Sequence, residues 1–183
     1  MTSRAKDHKS ELIEGIVAQV RERLPRADAP PVERFVRQYY ADVAAEDLAA
    51  FTVDTLFGEA LAIWRFAQKR KPRQPKIRIY NPVHEEHGWQ STHTIVEIVN
   101  DDMPFLVDSV AADLNRHDLT VHLLIHPIMR IRRGDDGRLV DVLEADAEAD
   151  GAVAESVLHV EVTQQSAEEA RDAIRKSLER VLE

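Results

Sequence analysis

Six consecutive residues, Asn100, Asp101, Asp102, Met103, Pro104 and Phe105, carry the clearest chemical potential in this sequence. They separate a β-branched run, TIVEIV at 94–99, from Leu106, Val107, Val110, Ala111 and Leu114, which recur at helical spacing. Asparagine and aspartate ahead of a helix accept its unpaired N–H groups, and proline is tolerated in a first helical turn. The same place has a second use. A loop at a helix N-terminus presents free N–H groups and partial positive charge, which can hold a carboxylate. Asp101 and Asp102 could hold an ammonium beside it. Residues 100–105 are therefore a candidate effector-binding loop for an amino acid or, with Phe105 as an anchor, a candidate interface.

Other chemistries find less support. The six glycines, Gly15, Gly58, Gly88, Gly134, Gly137 and Gly151, form no G-x-G-x-x-G, so no cofactor-binding turn for a dinucleotide is expected. Among His84, His87, His93, His117, His122 and His126, only two pairs are close in sequence. His122 and His126 share a strand face but lie roughly 13 Å apart at about 3.3 Å per residue, too far for one ion. His84 and His87 lack an obvious third ligand. No metal site is expected. Ser109 with Asp108 and His117 lacks a G-x-S-x-G elbow, and adjacent helical residues point about 100° apart. No catalytic residue is expected, which disfavours an independent small hydrolase.

The loop must be positioned by its neighbours. From 121 the apolar period becomes two: Val121, Leu123, Ile125, Pro127, Met129 and Ile131 face one way, and His122, Leu124, His126, Ile128, Arg130 and Arg132 the other. This predicts a long strand over 121–133. A turn at Gly134-Asp135-Asp136-Gly137 and a returning segment from Leu139 follow. Residues 146–151 read as an acidic loop. In the strand 156–163, Leu158, Val160 and Val162 face one way, His159 and Glu161 the other. Ser166 with Glu169 reads as a capping box for a last helix through Ala170, Ala173, Ile174, Leu178 and Val181.

Upstream, residues 1–10 are polar and expected to fray. Three apolar stripes follow: Leu12 to Leu24, ended by Pro25; Val32 to Val43, with Pro31 in its first turn; and Val53 to Ala67. A joint at 46–51 separates the last two. None is long enough to stand alone, so they should pack as a small bundle. The basic linker RKPRQP at 70–75 leads to a short alternating strand, KIRIY, and a loop over 81–90.

At this point a resemblance becomes specific. NDDMPFLVDSV followed by VHLLIHPIMRIRR resembles the amino-terminal part of the large bacterial NAD-dependent glutamate dehydrogenases, with similarity from about residue 39 to 183. Asp102, Met103, Pro104, Phe105 and Leu106 also resemble the Asp-x-Pro-Gly-Leu turn of ACT domains, regulatory modules of amino-acid metabolism, with Phe105 in place of the glycine. The resemblance implies an α+β chain. A helical amino-terminal subdomain at 1–71 precedes an ACT-like, ferredoxin-like antiparallel sheet of four strands with two helices on one face, at 72–183. It also implies that the sheet lacks its usual last strand. Residues 76–80 are then expected to fill the vacancy beside 94–99, in the spatial order 76–80, 94–99, 156–163, 121–133.

The implied function is the regulatory or architectural amino-terminal segment of an NAD-dependent glutamate dehydrogenase. The parent converts L-glutamate to 2-oxoglutarate and ammonia and uses NAD, while the segment itself holds no cofactor and is not catalytic. The alternative is a purely structural oligomerisation module without a ligand. The expected partners are the rest of the parent polypeptide, its homo-oligomer and an amino-acid effector. A net charge of −9 disfavours nucleic acid. No apolar run suits a membrane span, and there is no cysteine, as in many cytoplasmic proteins.

Overall fold

The computed structural model describes residues 3–147 and 149–183. Glu148, within the expected acidic loop, lies outside the described residues, as do residues 1 and 2. The amino-terminal part folds as α1 (Ser3–Arg23), α2 (Ala29–Ala41), the short α3 (Ala45–Leu48) and α4 (Val53–Ala67). Residues 3–10, expected to fray, continue α1 instead. Lys9 secures that end by donating to the carbonyls of Ala41 and Val43, which are free acceptors at the end of α2. Thr52 caps α4 by accepting from the Thr55 N–H.

The sheet has six strands, all antiparallel: β1 (Lys76–Tyr80), β2 (Thr94–Asp101), β3 (Val121–Ile125), β4 (Ile128–Arg133), β5 (Leu139–Val142) and β6 (Ala152–Val162). The expectation of four strands is corrected. The segment 121–133 is two strands, because Pro127 has no N–H to continue the ladder and the chain breaks at His126-Pro127. Both pieces pair with β6, and the Val157 N–H still reaches the Pro127 carbonyl at 3.0 Å. β5 adds the remaining strand beyond β4. The short β1 does lie antiparallel to β2, with Ile77 opposite Ile98 and Ile79 opposite Val96. The order is β1-β2-β6-β4-β5, with β3 beside β6.

Three more helices follow among the described residues: α5 (His84–His87), α6 (Leu106–Arg116) and α7 (Glu168–Val181). Two cores form on opposite sides of the sheet. Val96, Ile98, Leu158, Val160 and Val162 pack with Leu106, Val110, Leu114, Ile174 and Leu178 of α6 and α7. Ile125, Met129, Ile131, Val142 and Val157 pack with α1, α2 and α4 through residues such as Ile16, Phe35, Tyr39 and Ile63. Alternation along β6 therefore sends residues to two buried environments rather than one buried and one wet. All eight residues from Glu155 to Val162 are buried.

Candidate functional site

The loop expected to carry function sits at the end of β2, and its aspartates are already engaged. Asp101 is paired with Arg70. Asp102 accepts from the Ser156 hydroxyl at 2.9 Å, and its N–H donates to the Ala154 carbonyl. Asn100 is buried, and its side-chain amide lies 3.4 Å from the Met103 sulfur. None of the three polar side chains expected to cap α6, Asn100, Asp101 and Asp102, does so. The N-cap position is Phe105, without a side-chain hydrogen bond, and Pro104 lies before the helix. Phe105 adopts φ +62°, the left-handed region that suits the glycine of the ACT-type turn. Its ring is 76 % exposed, and Met103 is 41 % exposed. The cap expected from Ser166 also shifts, because α7 starts one residue later, with Ala167 as its uncapped N-cap.

Arg70 extends this site inward. Its guanidinium is buried between Asp101 and Glu155, and Glu155 also accepts from Arg133 at 2.7 and 2.8 Å. Arg133 reaches on to the Ala67 carbonyl at the end of α4. A buried guanidinium requires such pairing, since an unpaired one costs several kcal/mol. The network joins the loop, β4, β6 and the last turn of α4.

A second polar cluster lies between the helices and the sheet. Glu59 of α4, Glu97 of β2, and His159 and Glu161 of β6 are all buried. Glu97 is held by Arg78 and by the Tyr80 hydroxyl at 3.0 Å. Glu59 accepts from the Tyr40 hydroxyl at 3.2 Å, and Glu161 is 2.7 Å from His93 Nδ1. His159 lies between Glu97, 3.7 Å from its Nδ1, and Glu161, 3.9 Å from its Nε2. Burial alone lowers the pKa of His159, but Glu59, Glu161 and Glu97 reverse this and push it up to about 10. Burial raises Glu97 and Glu161, yet His159, with Arg78 and His93 respectively, holds both below the usual carboxylate range. Glu59 is raised, first by burial and then by Glu161.

Sequence reading set His159 and Glu161 apart from the apolar face of their strand but attached no chemistry to them. The signal available was weak: a charged pair two apart in a strand, whose partners Glu59 and Glu97 lie far off in sequence.

An antiparallel sheet that carries a strand–turn–helix on its central pair and helices packed on its face is the architecture of an ACT-like α+β module. The family model described as "Glutamate dehydrogenase, ACT1 domain" matches residues 35–178, and the chain belongs to that family. It is 38 % identical over 172 residues to the NAD-specific glutamate dehydrogenase of Halomonas elongata, covering 94 % of this chain and 11 % of that protein. It is 36 % identical over 133 residues to the NAD-specific glutamate dehydrogenase of Pseudomonas aeruginosa, covering 73 % of this chain and 8 % of that protein. The chain thus spans about a tenth of the length of these curated relatives.

Proposed function

We propose that the chain is the amino-terminal regulatory or architectural segment of an NAD-dependent glutamate dehydrogenase. The parent oxidises L-glutamate to 2-oxoglutarate and ammonia with NAD, as a cytoplasmic homo-oligomer, and this segment takes no part in the chemistry. Its helical part, 1–71, and its ACT-like part, 72–183, together form a docking unit. Two relatives that carry the activity in their names, and the family match, support the parent reaction.

One observation carries the role of the segment. The residues best suited to bind an amino acid at 100–105 are spent on internal partners, while the Phe105 ring is turned to solvent. An exposed aromatic beside a polar loop suits a protein interface better than a small-molecule pocket. The loop therefore docks onto the rest of the polypeptide or its oligomer. No helix among the described residues is long and apolar enough to cross a membrane.

Calorimetric titration of the pure chain with the common amino acids, alongside an assay of NADH formation from glutamate, tests the reading. No heat of binding and no turnover are expected. Saturable binding abolished by Asp101→Ala would restore the effector site, and turnover that follows the protein through purification would make the segment an enzyme.

A further inference from the structure

Three of the buried polar side chains between α4 and β6 end in atoms that nothing satisfies. Glu59 Oε2, Glu161 Oε1 and both ring nitrogens of His159 are buried without a hydrogen-bond partner. An unsatisfied buried polar atom costs about 1–3 kcal/mol, and more when charged, so four in one place call for an explanation. The pattern is specific. Each of the two carboxylates has one oxygen fixed from outside, Glu59 by Tyr40 and Glu161 by His93, and one oxygen left free. One donor atom from each of Glu59, His159 and Glu161 falls within 4.8 Å of the other two.

We propose that Glu59, His159 and Glu161 form a binding site for one divalent transition-metal ion of the Zn²⁺ class, at the junction of the helical bundle and the sheet. Two carboxylate oxygens and one imidazole nitrogen are a borderline-hard donor set of the kind that holds Zn²⁺, with no thiolate to favour a softer ion. Ligands at about 2.0–2.2 Å from a tetrahedral ion are about 3.3–3.5 Å from one another, so a contraction of up to about 1.5 Å closes the site. His159 Nε2 and Glu161 Oε1 are already 3.9 Å apart.

The surroundings fit the ion as well. Glu97 faces His159 Nδ1 at 3.7 Å, where a carboxylate orients a metal-bound imidazole and sets its tautomer. Binding releases the proton that the surrounding carboxylates otherwise hold on His159, and with the imidazole neutral a divalent ion and the Arg78 guanidinium balance the charges of Glu59, Glu97 and Glu161. The rings of Tyr39 and Trp89 flank His159, with centroids 6.4 and 6.0 Å away, and Tyr39 OH and Trp89 Nε1 are buried and unpaired. His93 and Glu161 also line a surface groove of about 550 Å³, with Phe51, Thr55, Pro82 and Gln90, which brings solvent to the Glu161 edge of the cluster.

The test uses the whole 183-residue chain, stripped with a chelator and titrated with ZnCl₂ by calorimetry, with MgCl₂ and CaCl₂ in parallel. One Zn²⁺ per chain is expected, with no comparable binding of Mg²⁺ or Ca²⁺. His159→Gln is expected to weaken binding more than ~100-fold, and Glu97→Gln by about 10–100-fold, the usual cost of losing an outer-shell partner. The double variant His84→Ala with His87→Ala leaves it unchanged, because neither histidine belongs to the cluster. Should His159→Gln fail to fold, X-ray absorption of the zinc-loaded unmodified chain decides, with one imidazole and otherwise oxygen ligands expected. No one-to-one binding, binding that survives His159→Gln, loss in the His84/His87 variant, or two or more imidazoles on the ion each overturn the proposal. These readouts are independent of glutamate dehydrogenase activity and of the docking role proposed above.

Discussion

Phe105 concentrates the question of what the loop does. A non-glycine residue in the left-handed region stores about 1–2 kcal/mol of strain. Its exposed ring recovers none of this through core packing. Phe105→Gly should release that strain, against about 0.5–1 kcal/mol from the greater freedom of glycine in the unfolded chain. Urea denaturation should therefore show unchanged stability or a gain of up to about 1.5 kcal/mol, while self-association or docking to the parent weakens. A loss above about 1 kcal/mol would mean that the ring supports the fold. The departure from glycine at this position was legible in the sequence, and the backbone confirms that it costs something. The fate of Asp101 and Asp102 was not legible, because Arg70 and Ser156 lie 31 and 54 residues away. Local rules read such aspartates as caps, but tertiary pairing claimed them first.

At the scale of elements, α4 shows how closely the helical bundle packs against the 81–90 loop. Gly58 lies in the middle of α4, where alanine would normally gain about 1 kcal/mol of helix propensity. A Cβ there would stand 2.5 Å from the Gly88 carbonyl oxygen and 2.7 Å from the Trp89 Cβ. Those neighbours are backbone and the root of a buried side chain, so they cannot swing aside. Overpacking of this kind costs roughly 1–3 kcal/mol or more and outweighs the propensity. Gly58→Ala is expected to lower the denaturation midpoint and to shift Trp89 fluorescence; an increase in stability would show that the 81–90 loop yields easily. The helical stripes and the short strands were legible from their periods. The break at His126-Pro127 was missed because alternation runs straight through it. Proline keeps the side-chain pattern while removing the N–H that the ladder needs.

The whole molecule is held by cores that ignore the division at residue 71. Val157, Met129 and Ile131 of the sheet share one core with Ile16, Phe35 and Ile63 of the helices. Arg34 of α2 donates to the Val142 carbonyl and to Asp141 across the same junction. Neither part keeps its apolar surface covered without the other. Thermal unfolding should therefore be one cooperative transition, with circular dichroism and tryptophan fluorescence coinciding. Two separated transitions would show that the helical part melts independently. Sequence patterning indicated the helical stripes, and the resemblance implied the strand order, but neither showed that the sheet has a covered second face. His159 and Glu161 mark that face, and polar residues in a strand ordinarily announce solvent.

The double-sided burial of β6 also has a meaning for inheritance. From Glu155 to Val162 every residue is buried, so this stretch has little room to drift. An apolar residue that replaced Glu97 or His159 alone would strand a charge in the interior, and the lineage would carry that defect until the partner changed as well. Glu59, Glu97, His159 and Glu161 should accordingly be kept or lost as a set. A relative that has lost one of them should have lost the others too, and should fill the space with bulkier apolar side chains.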